Sequence, residues 1–245
     1  MALIPARGGS QGVPRKNLAP VCGIPLILHT VHAALRSRRC DLVVVSTDDP
    51  EIARVAQAGG ARVPFIRPPE LARSDTPMGK VVRHAVSWAD GEGLDLSALV
   101  LLQPTSPLRT SEDIDRAVDL FLERRPSSVV SVVQIPHQYL PICAMRIGPD
   151  GWLEPLEPSW QPTRRQDKPA LYARNGPAVV VTSAELAREG LLYGERVLPY
   201  VMDGIRSIDI DTPEDLWLAN LIMRELKGRE GRVAHGTDER DRKKS

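Results

Sequence analysis

The 245-residue chain is poor in cysteine, has no long apolar run and carries almost no net charge. Each shortage removes a class of function. Its three cysteines, Cys22, Cys40 and Cys143, are odd in number and far apart, with no CxxC pair and no nearby histidines. A disulfide framework and a zinc site are excluded, and the thiols are read as free and buried. No stretch approaches the ~18 apolar residues that span a bilayer, and the N-terminal residues lack the basic-then-apolar pattern of a secretion signal. A cytoplasmic protein without a membrane partner is expected. A net charge of +1 gives no long-range attraction to a polyanion, so nucleic acid is not an expected partner. Any anion this chain binds must be held locally.

What is present reads as one α/β domain. Hydrophobic residues make up 42% and charged residues 26%, as in an ordinary globular chain. "ALIPA" predicts a strand entering a glycine loop, and "PLILHTVHAALRS" places Leu26, Val31, Ala34 and Leu35 at helical spacing. "DLVVVSTDDPEIARVAQAGGA" repeats the unit, with Asp48 or Asp49 as N-cap, Pro50 at the first helical position and Gly59-Gly60 as the stop. "ARVPFIRPPELARSD" suggests a short strand and loop, with Asp75 or Thr76 capping the helix "PMGKVVRHAVSWAD". A third unit follows in "ALVLLQPTSPLRTSEDIDRAVDLFLERRP", capped at Thr110 or Ser111, and then the apolar strand "SSVVSVVQI". Apolar strands without strict alternation, separated by helices, predict a mainly parallel sheet covered on both faces.

The rhythm breaks at 136–175, where prolines crowd around two tryptophans and the turn "GPDGW" predicts a hairpin-bearing insertion. Leu140, Ile142, Met145 and Trp152 would need covering there, and a second copy of the chain is the economical cover. "PAVVVTSAELAREG" resumes the α/β pattern, and "RSIDIDTPEDLWLANLIMRELKG" supplies a last strand and a helix capped by Thr212. The domain is thus expected over 1–227, with a disordered tail at 228–245 that has almost no apolar content.

Three constellations carry chemistry. "IPARGGSQGVPRKN", from Ile4 to Asn17, fits neither GxxxxGK[ST] nor GxGxxG, but its glycines can turn backbone N–H groups toward an oxyanion. Arg7 adds a bidentate fork and Lys16 a point charge. In "SIDIDTPED", strand alternation would put Ser207, Asp209 and Asp211 on one face, with Ile208 and Ile210 toward the core. Two carboxylates at a strand's carboxyl end suit a magnesium ion that keeps waters and shares phosphate oxygens, although Asp211 could equally help cap the next helix. "LLQPTSPLR" ends a strand in Gln103, and its prolines hold Thr105, Ser106 and Arg109 in a fixed loop. A glutamine amide both donates and accepts, as a nucleobase edge requires. Near the end of the insertion, "RRQDKPALYARNG" clusters arginines that can bind carboxylate or phosphonate oxygens.

Taken in order, "IPARGGSQGVPRKN", "VVVSTDDPEIA", "RPPELARSD", "LLQPTSPLR", "SVVSV", "RRQDKP", "RNG" and "SIDIDTPEDL" resemble the acylneuraminate cytidylyltransferase family from Ile4 to about Lys227. The resemblance implies a Rossmann-like nucleotidyltransferase fold with a dimerisation subdomain, a homodimer and a magnesium-dependent reaction of CTP with an anionic sugar to give a CMP-sugar and pyrophosphate. It implies that the loop, through Ala6, Arg7, Gly8, Ser10, Gln11, Lys16 and Asn17, holds triphosphate and ribose. Arg67 and Gln103 would lie near the cytosine, with Thr105 and Ser106 beside the nucleotide. Asp209 and Asp211 would bind Mg2+. Arg7, Lys16 and Asp211 carry catalysis in this reading, and Arg165 and Gln166 approach the acceptor across the dimer interface.

Two departures stand out. The family usually has a lysine where this chain has Gln11, so Arg15, Lys16 or Lys80 compensates, or the acceptor differs in charge. The acceptor side reads "HQYLP" and "NGPAVVV", where sialic-acid enzymes have a lysine and an aromatic residue. A different nonulosonic acid, a small phosphonate or other anion, and a non-catalytic nucleotide-binding role all stay open at this level.

Overall fold

The computed structural model describes residues 1–10, 12–156, 164, 166, 168–176 and 178–241, the last thirteen as backbone only. The first strand β1 (Ala2–Pro5) leads through the glycine loop to a small hairpin, β2 (Pro20–Val21) with β3 (Ile24–Pro25), and into α1 (Leu26–Arg36). Two further strand-helix passages follow, β4 (Val43–Ser46) to α2 (Pro50–Ala58) and α3 (Met78–Gly91), then β5 (Ala98–Leu101) to α4 (Ser111–Arg124). After β6 (Ser128–Gln134) comes the hairpin β7 (Met145–Ile147) and β8 (Leu153–Pro155), then β9 (Tyr172–Arg174), β10 (Val180–Ser183) and α5 (Ala184–Glu189). The chain closes with β11 (Val197–Met202) and the long helix α6 (Pro213–Asp241).

The main sheet runs β4-β1-β5-β10-β6-β11, with β9 also on β6. β1 pairs in parallel with β4 and β5, and β11 in parallel with β6, while β10 lies antiparallel between β5 and β6. The expected mainly parallel sheet is present, with β9 and β10 as its reversed members. Alternation on β1 divides the core: Ala2 and Ile4 pack with Ile27, Val31 and Ile114, whereas Leu3 packs with Val82, Val86 and Leu101 on the opposite face. A third cluster of Val13, Leu26, Leu108, Ile210, Ala219 and Met223 seats α6 beside the loop after β1. Asp49 caps α2 through the amides of Glu51 and Ile52, and Thr110 with Asp113 forms a capping box on α4.

Several expectations are corrected. "RSIDID" belongs to no strand; its place as last strand is taken by β11, whose Pro199 sits on the sheet edge where a missing N–H costs nothing. The stretch after α2 forms only isolated bridges, Val44 with Arg62 and Thr47 with Ile66. Neither Asp75 nor Thr76 caps α3, which begins after Pro77 without a side-chain cap. Leu35 is exposed, and Leu140 is buried within its own chain instead of awaiting a partner. All three cysteines are free but half-buried. The described backbone of α6 runs on from Gly228 to Asp241, a stretch that contains arginine and glutamate and no proline.

One buried cation ties these elements together. Arg109 is fully enclosed, and its guanidinium donates to the carbonyl oxygens of Ala178 at 2.7 Å and Gln103 at 3.2 Å, and to Thr30 Oγ1 at 2.6 Å. Burial pushes it down to about 10, with Asp113 opposing, so it is still charged at neutral pH. It therefore joins α1, the loop after β5 and the segment before β10. That segment is a bulge: Ser131 sits between the ladder pairs Val132–Arg174 and Val130–Val180, its N–H donates to Val179 O, and its Oγ accepts from Val179 N–H, both at 2.9 Å. Arg109→Met, which strands those acceptors, is expected to lower stability by about 3 kcal/mol in urea unfolding; a loss under ~1 kcal/mol would contradict the bracing role.

Candidate nucleotide site

The loops that leave the carboxyl ends of the parallel strands β1 and β5 meet the segment running from Arg67 into α3 at one cleft of about 490 Å³. Ligands of open α/β sheets bind at this edge, where loop backbone and helix termini point outward. The loop after β1 supplies Arg7, Gly9, Ser10, Gly12, Lys16 and Asn17; Arg67 comes from the segment after α2, beside the Thr47–Ile66 bridge; and Gln103 and Thr105 follow β5. Asp211, just before α6, completes the lining.

The loop is held by its own groups. Asn17 Nδ2 donates to Arg7 O at 2.9 Å, and Gly8 N–H donates to Asp48 Oδ1 at 3.0 Å. Ala6 is buried, and its N–H donates to Ser46 O at 2.9 Å. Ala6 and Gly8 thus shape the loop without lining the cleft. Its tip is packed against the acidic segment: a Cβ on Gly12 would lie 1.9 Å from Asp211 O, so only glycine fits.

The cations differ in how firmly they are engaged. Arg67 is buried, with Nε donating to Ser46 Oγ at 3.0 Å and another nitrogen donating to Ser46 O; burial pushes it down to about 10, Asp48 opposes and Arg7 adds to the shift. Lys16 Nζ donates to Ile210 O at 2.7 Å and to Asp211 Oδ1 at 2.9 Å. No hydrogen bond or ion pair engages the Arg7 guanidinium among the described residues. Arg15 instead pairs with Glu51 at 2.7 Å and Asp49 at 3.4 Å, and neither it nor Lys80 lines the cleft. Lys16 is the one member of that expected trio in place.

The acidic pair is divided by burial. Asp211 has a side chain 73% exposed and faces the cleft. Asp209 lies beneath, with Oδ1 buried and without a hydrogen bond among the described residues, and Oδ2 2.8 Å from where a Cβ on Gly176 would stand. Burial pushes its carboxyl above the usual range, Asp211 and Asp215 add to this, and Thr105 and Lys16 oppose it. Ile210 is fully buried as alternation predicted, although Asp209 is itself more enclosed than a solvent-facing strand residue would be. The helix cap is made by Thr212 with Asp215, not by Asp211.

Gln103 lines the cleft, and its Oε1 accepts from Thr105 Oγ1 at 3.5 Å. Ser106 is buried with no hydrogen bond to its hydroxyl and does not line the cleft. Gln166 is exposed and away from it, whereas Gln11 and Arg165 lie outside the described residues. The opposite wall was not foreseen as a site: Leu71, Arg73, Ser74, Thr76 and Met78 line it, all within or just after "RPPELARSD". The run Gly8-Gly9-Ser10-Gln11-Gly12 also spells Gly-x-Ser-x-Gly, but no histidine lines the cleft among the described residues, so Ser10 has no base there.

A mainly parallel sheet that directs a glycine loop, several cations and a carboxylate into one cleft defines an α/β protein of the nucleotidyltransferase type. Residues 1–141 match the family model described as "Cytidylyltransferase", and the chain belongs to this family. It is 35% identical over 224 residues, 91% of its length and 95% of the relative's, to a CMP-N,N'-diacetyllegionaminic acid synthase of Legionella pneumophila. It is also 35% identical over 216 residues to N-acylneuraminate cytidylyltransferase A of Danio rerio, covering 87% of this chain and 48% of that longer protein. Among solved structures, a CMP:2-keto-3-deoxy-manno-octonic acid synthetase complexed with CTP superposes with a TM-score of 0.65 over 91% of this chain and 98% of that one, at 18% identity, a likeness of fold.

The contact between loop tip and acidic segment generates a direct test. Gly12→Ala is expected to weaken CTP binding by at least about tenfold in titration calorimetry, because the loop must leave Asp211 to admit the methyl group. Wild-type affinity in this variant would show that the contact does not shape the cleft.

Proposed function

We propose that this protein transfers CMP from CTP to the hydroxyl of a carboxylate-bearing nonulosonic acid and releases pyrophosphate. The observation that carries the reading is the single cleft in which Arg7, Lys16 and Arg67 face Asp211, with Gln103 at its inner edge. The names of the relatives support the acceptor class, and their coverage of the chain supports carrying it over the whole domain.

The reaction forms a bond from the acceptor oxygen to the α-phosphorus and breaks the bond from that phosphorus to the bridging oxygen, which leaves with its electron pair in pyrophosphate. Charge spreads over phosphoryl oxygens, so positioning and fixed cations do most of the work. Arg7, whose guanidinium has no hydrogen bond or ion pair among the described residues, receives the triphosphate. Lys16 exchanges its contact with Asp211 for phosphate oxygen, and this releases the Asp211 carboxylate to take the acceptor proton at Oδ1. Gln103 offers both a donor and an acceptor to the cytosine edge.

The acidic pair fits magnesium. Asp209 Oδ1 is a buried oxygen without a hydrogen bond, Asp211 is an accessible carboxylate beside it, and no cluster of three or more metal-binding side chains occurs among the described residues. Two hard oxygen donors suit an ion that retains waters and completes its shell with substrate oxygens. Bound there, Mg2+ would supply positive charge to the phosphoryl oxygens and acidify the acceptor hydroxyl.

A homodimer and a cytoplasmic location belong to the same reading. Met145, Ile147, Trp152, Leu153 and Tyr172 are exposed on the insertion, an apolar surface that a second copy would cover. No helix among the described residues is long and apolar enough to cross a membrane.

A pyrophosphate-release screen with CTP, Mg2+ and a panel of nonulosonic acids, phosphonates and other small anions tests the function. Turnover is expected with a nonulosonic acid, and Asp211→Asn should lower kcat by about 10²-fold while CTP affinity changes little. Turnover with phosphonates alone would reassign the acceptor. Release with none of them, or full activity in Asp211→Asn, would overturn the catalytic reading.

A further inference from the structure

The segment 207–211 poses a mechanical problem. It carries both acidic residues, yet it belongs to no ladder, and the backbone bond holding it to the sheet side is Ile210 N–H to Thr105 O at 2.8 Å. An extended segment without ladder bonds has little to fix it except its side chains. Three anchors are visible. Ile210 is buried in the cluster beneath α6, and Lys16 grips its carbonyl. Ser207 Oγ accepts from Asn175 Nδ2 at 2.9 Å and donates to Asp203 O at 2.8 Å. Upstream, Arg206 reaches Asp113 on α4, with 3.0 Å between its guanidinium nitrogen and Asp113 Oδ1.

Asp113 is suited to this task. It is completely buried; Oδ2 accepts from Thr110 in the capping box, and Oδ1 receives both Tyr200 Oη–H at 2.9 Å and Arg206. Its position is therefore set by α4 and β11 before Arg206 arrives. The Tyr200 hydroxyl is pushed up to about 12 by burial and by this carboxylate, so it remains a donor at neutral pH. The charge pair is enclosed at one end only, since the Arg206 side chain is 33% exposed. Breaking it by shortening Arg206 exposes Asp113 to water on one side, which a buried pair would not allow.

We propose that Arg206, through its ion pair with Asp113, is the positioning residue that fixes the height of segment 207–211 against the nucleotide cleft. The pair sits three residues upstream of Asp209, and Asn175 adjoins Gly176, whose backbone packs against the Asp209 carboxylate. A slack anchor lets Asp209 leave that contact and separate from Asp211. The role in turnover rests on the cytidylyl-transfer reading, but the anchoring itself does not.

Arg206→Gln and Arg206→Lys test the assignment, with wild-type enzyme alongside. In Arg206→Gln, the Mg2+ concentration giving half-maximal pyrophosphate release is expected to rise and kcat to fall, each by about tenfold, while the KM for CTP stays within about twofold. Arg206→Lys, which keeps a charged donor, should return both toward wild type. Hydrogen exchange of the Ile210 amide should accelerate in Arg206→Gln whether or not the enzyme turns over. Unchanged exchange, or an unaltered Mg2+ requirement and kcat, would overturn the assignment, as would an Arg206→Lys enzyme as impaired as Arg206→Gln. Should the wild type release no pyrophosphate at all, the catalytic function falls, and the exchange measurement decides the anchor alone.

Discussion

The cleft depends on a buried positive charge that never touches it. Arg109 satisfies carbonyls from the loop after β5 and from the bulge before β10, and a hydroxyl on α1. Its nearest carboxylate influence is Asp113, whose own oxygens are committed to Thr110, Tyr200 and Arg206. A guanidinium surrounded by backbone oxygens is held by geometry more than by charge pairing, and its five donors make it a rigid connector. Through the carbonyl of Gln103 it fixes the loop after β5 where that loop lines the cleft. Through Ala178 it fixes the bulge that brings Gly176 against Asp209.

Around that brace the polar groups form two chains that meet at the acidic segment. One runs from Thr110 and Asp113 through Arg206 to Ser207; the other runs from the glycine loop through Lys16 to Ile210 and Asp211. The second chain is the more open one. Lys16, itself only 15% exposed, holds Asp211 through a carboxylate that is 73% exposed, so water screens the pair at the Asp211 end. The first chain starts from a fully buried carboxylate and is the more firmly fixed of the two. This division explains why Asp209 is enclosed while Asp211 is open: one carboxylate is held still, and the other is kept available.

Much of this was legible in the sequence where local chemistry decides structure. The β-branched run before Asp49, the proline after it and the Gly59 stop define α2 without reference to anything distant, and Thr110 with Asp113 does the same for α4. Arg7, Lys16, Asn17, Gln103 and Thr105 reach one cleft because they follow β1 and β5, strands whose direction the α/β rhythm sets. The misread elements are those whose conformation is imposed from far away. Alternating Ile and Asp in "SIDID" satisfies a ladder and an anchored extended segment equally well, and its anchors lie at Thr105, Asp113 and Lys16. β11 was hidden because Pro199 and a half-exposed pattern read as a loop until its pairing with β6 is known. Arg73 and Thr76 reach the cleft from a proline-rich loop that offers no periodicity to place them.

The central claim is that the loop cations and the acidic pair act on one nucleotide from facing sides. A crystal structure of the protein grown with CTP and Mn2+, with anomalous scattering used to locate the metal, tests this most directly. The account predicts manganese held at Asp209 and Asp211, with Lys16 moved from Asp211 to a phosphate oxygen. CTP bound in the cleft with the metal elsewhere, or with Lys16 still on Asp211, would contradict it.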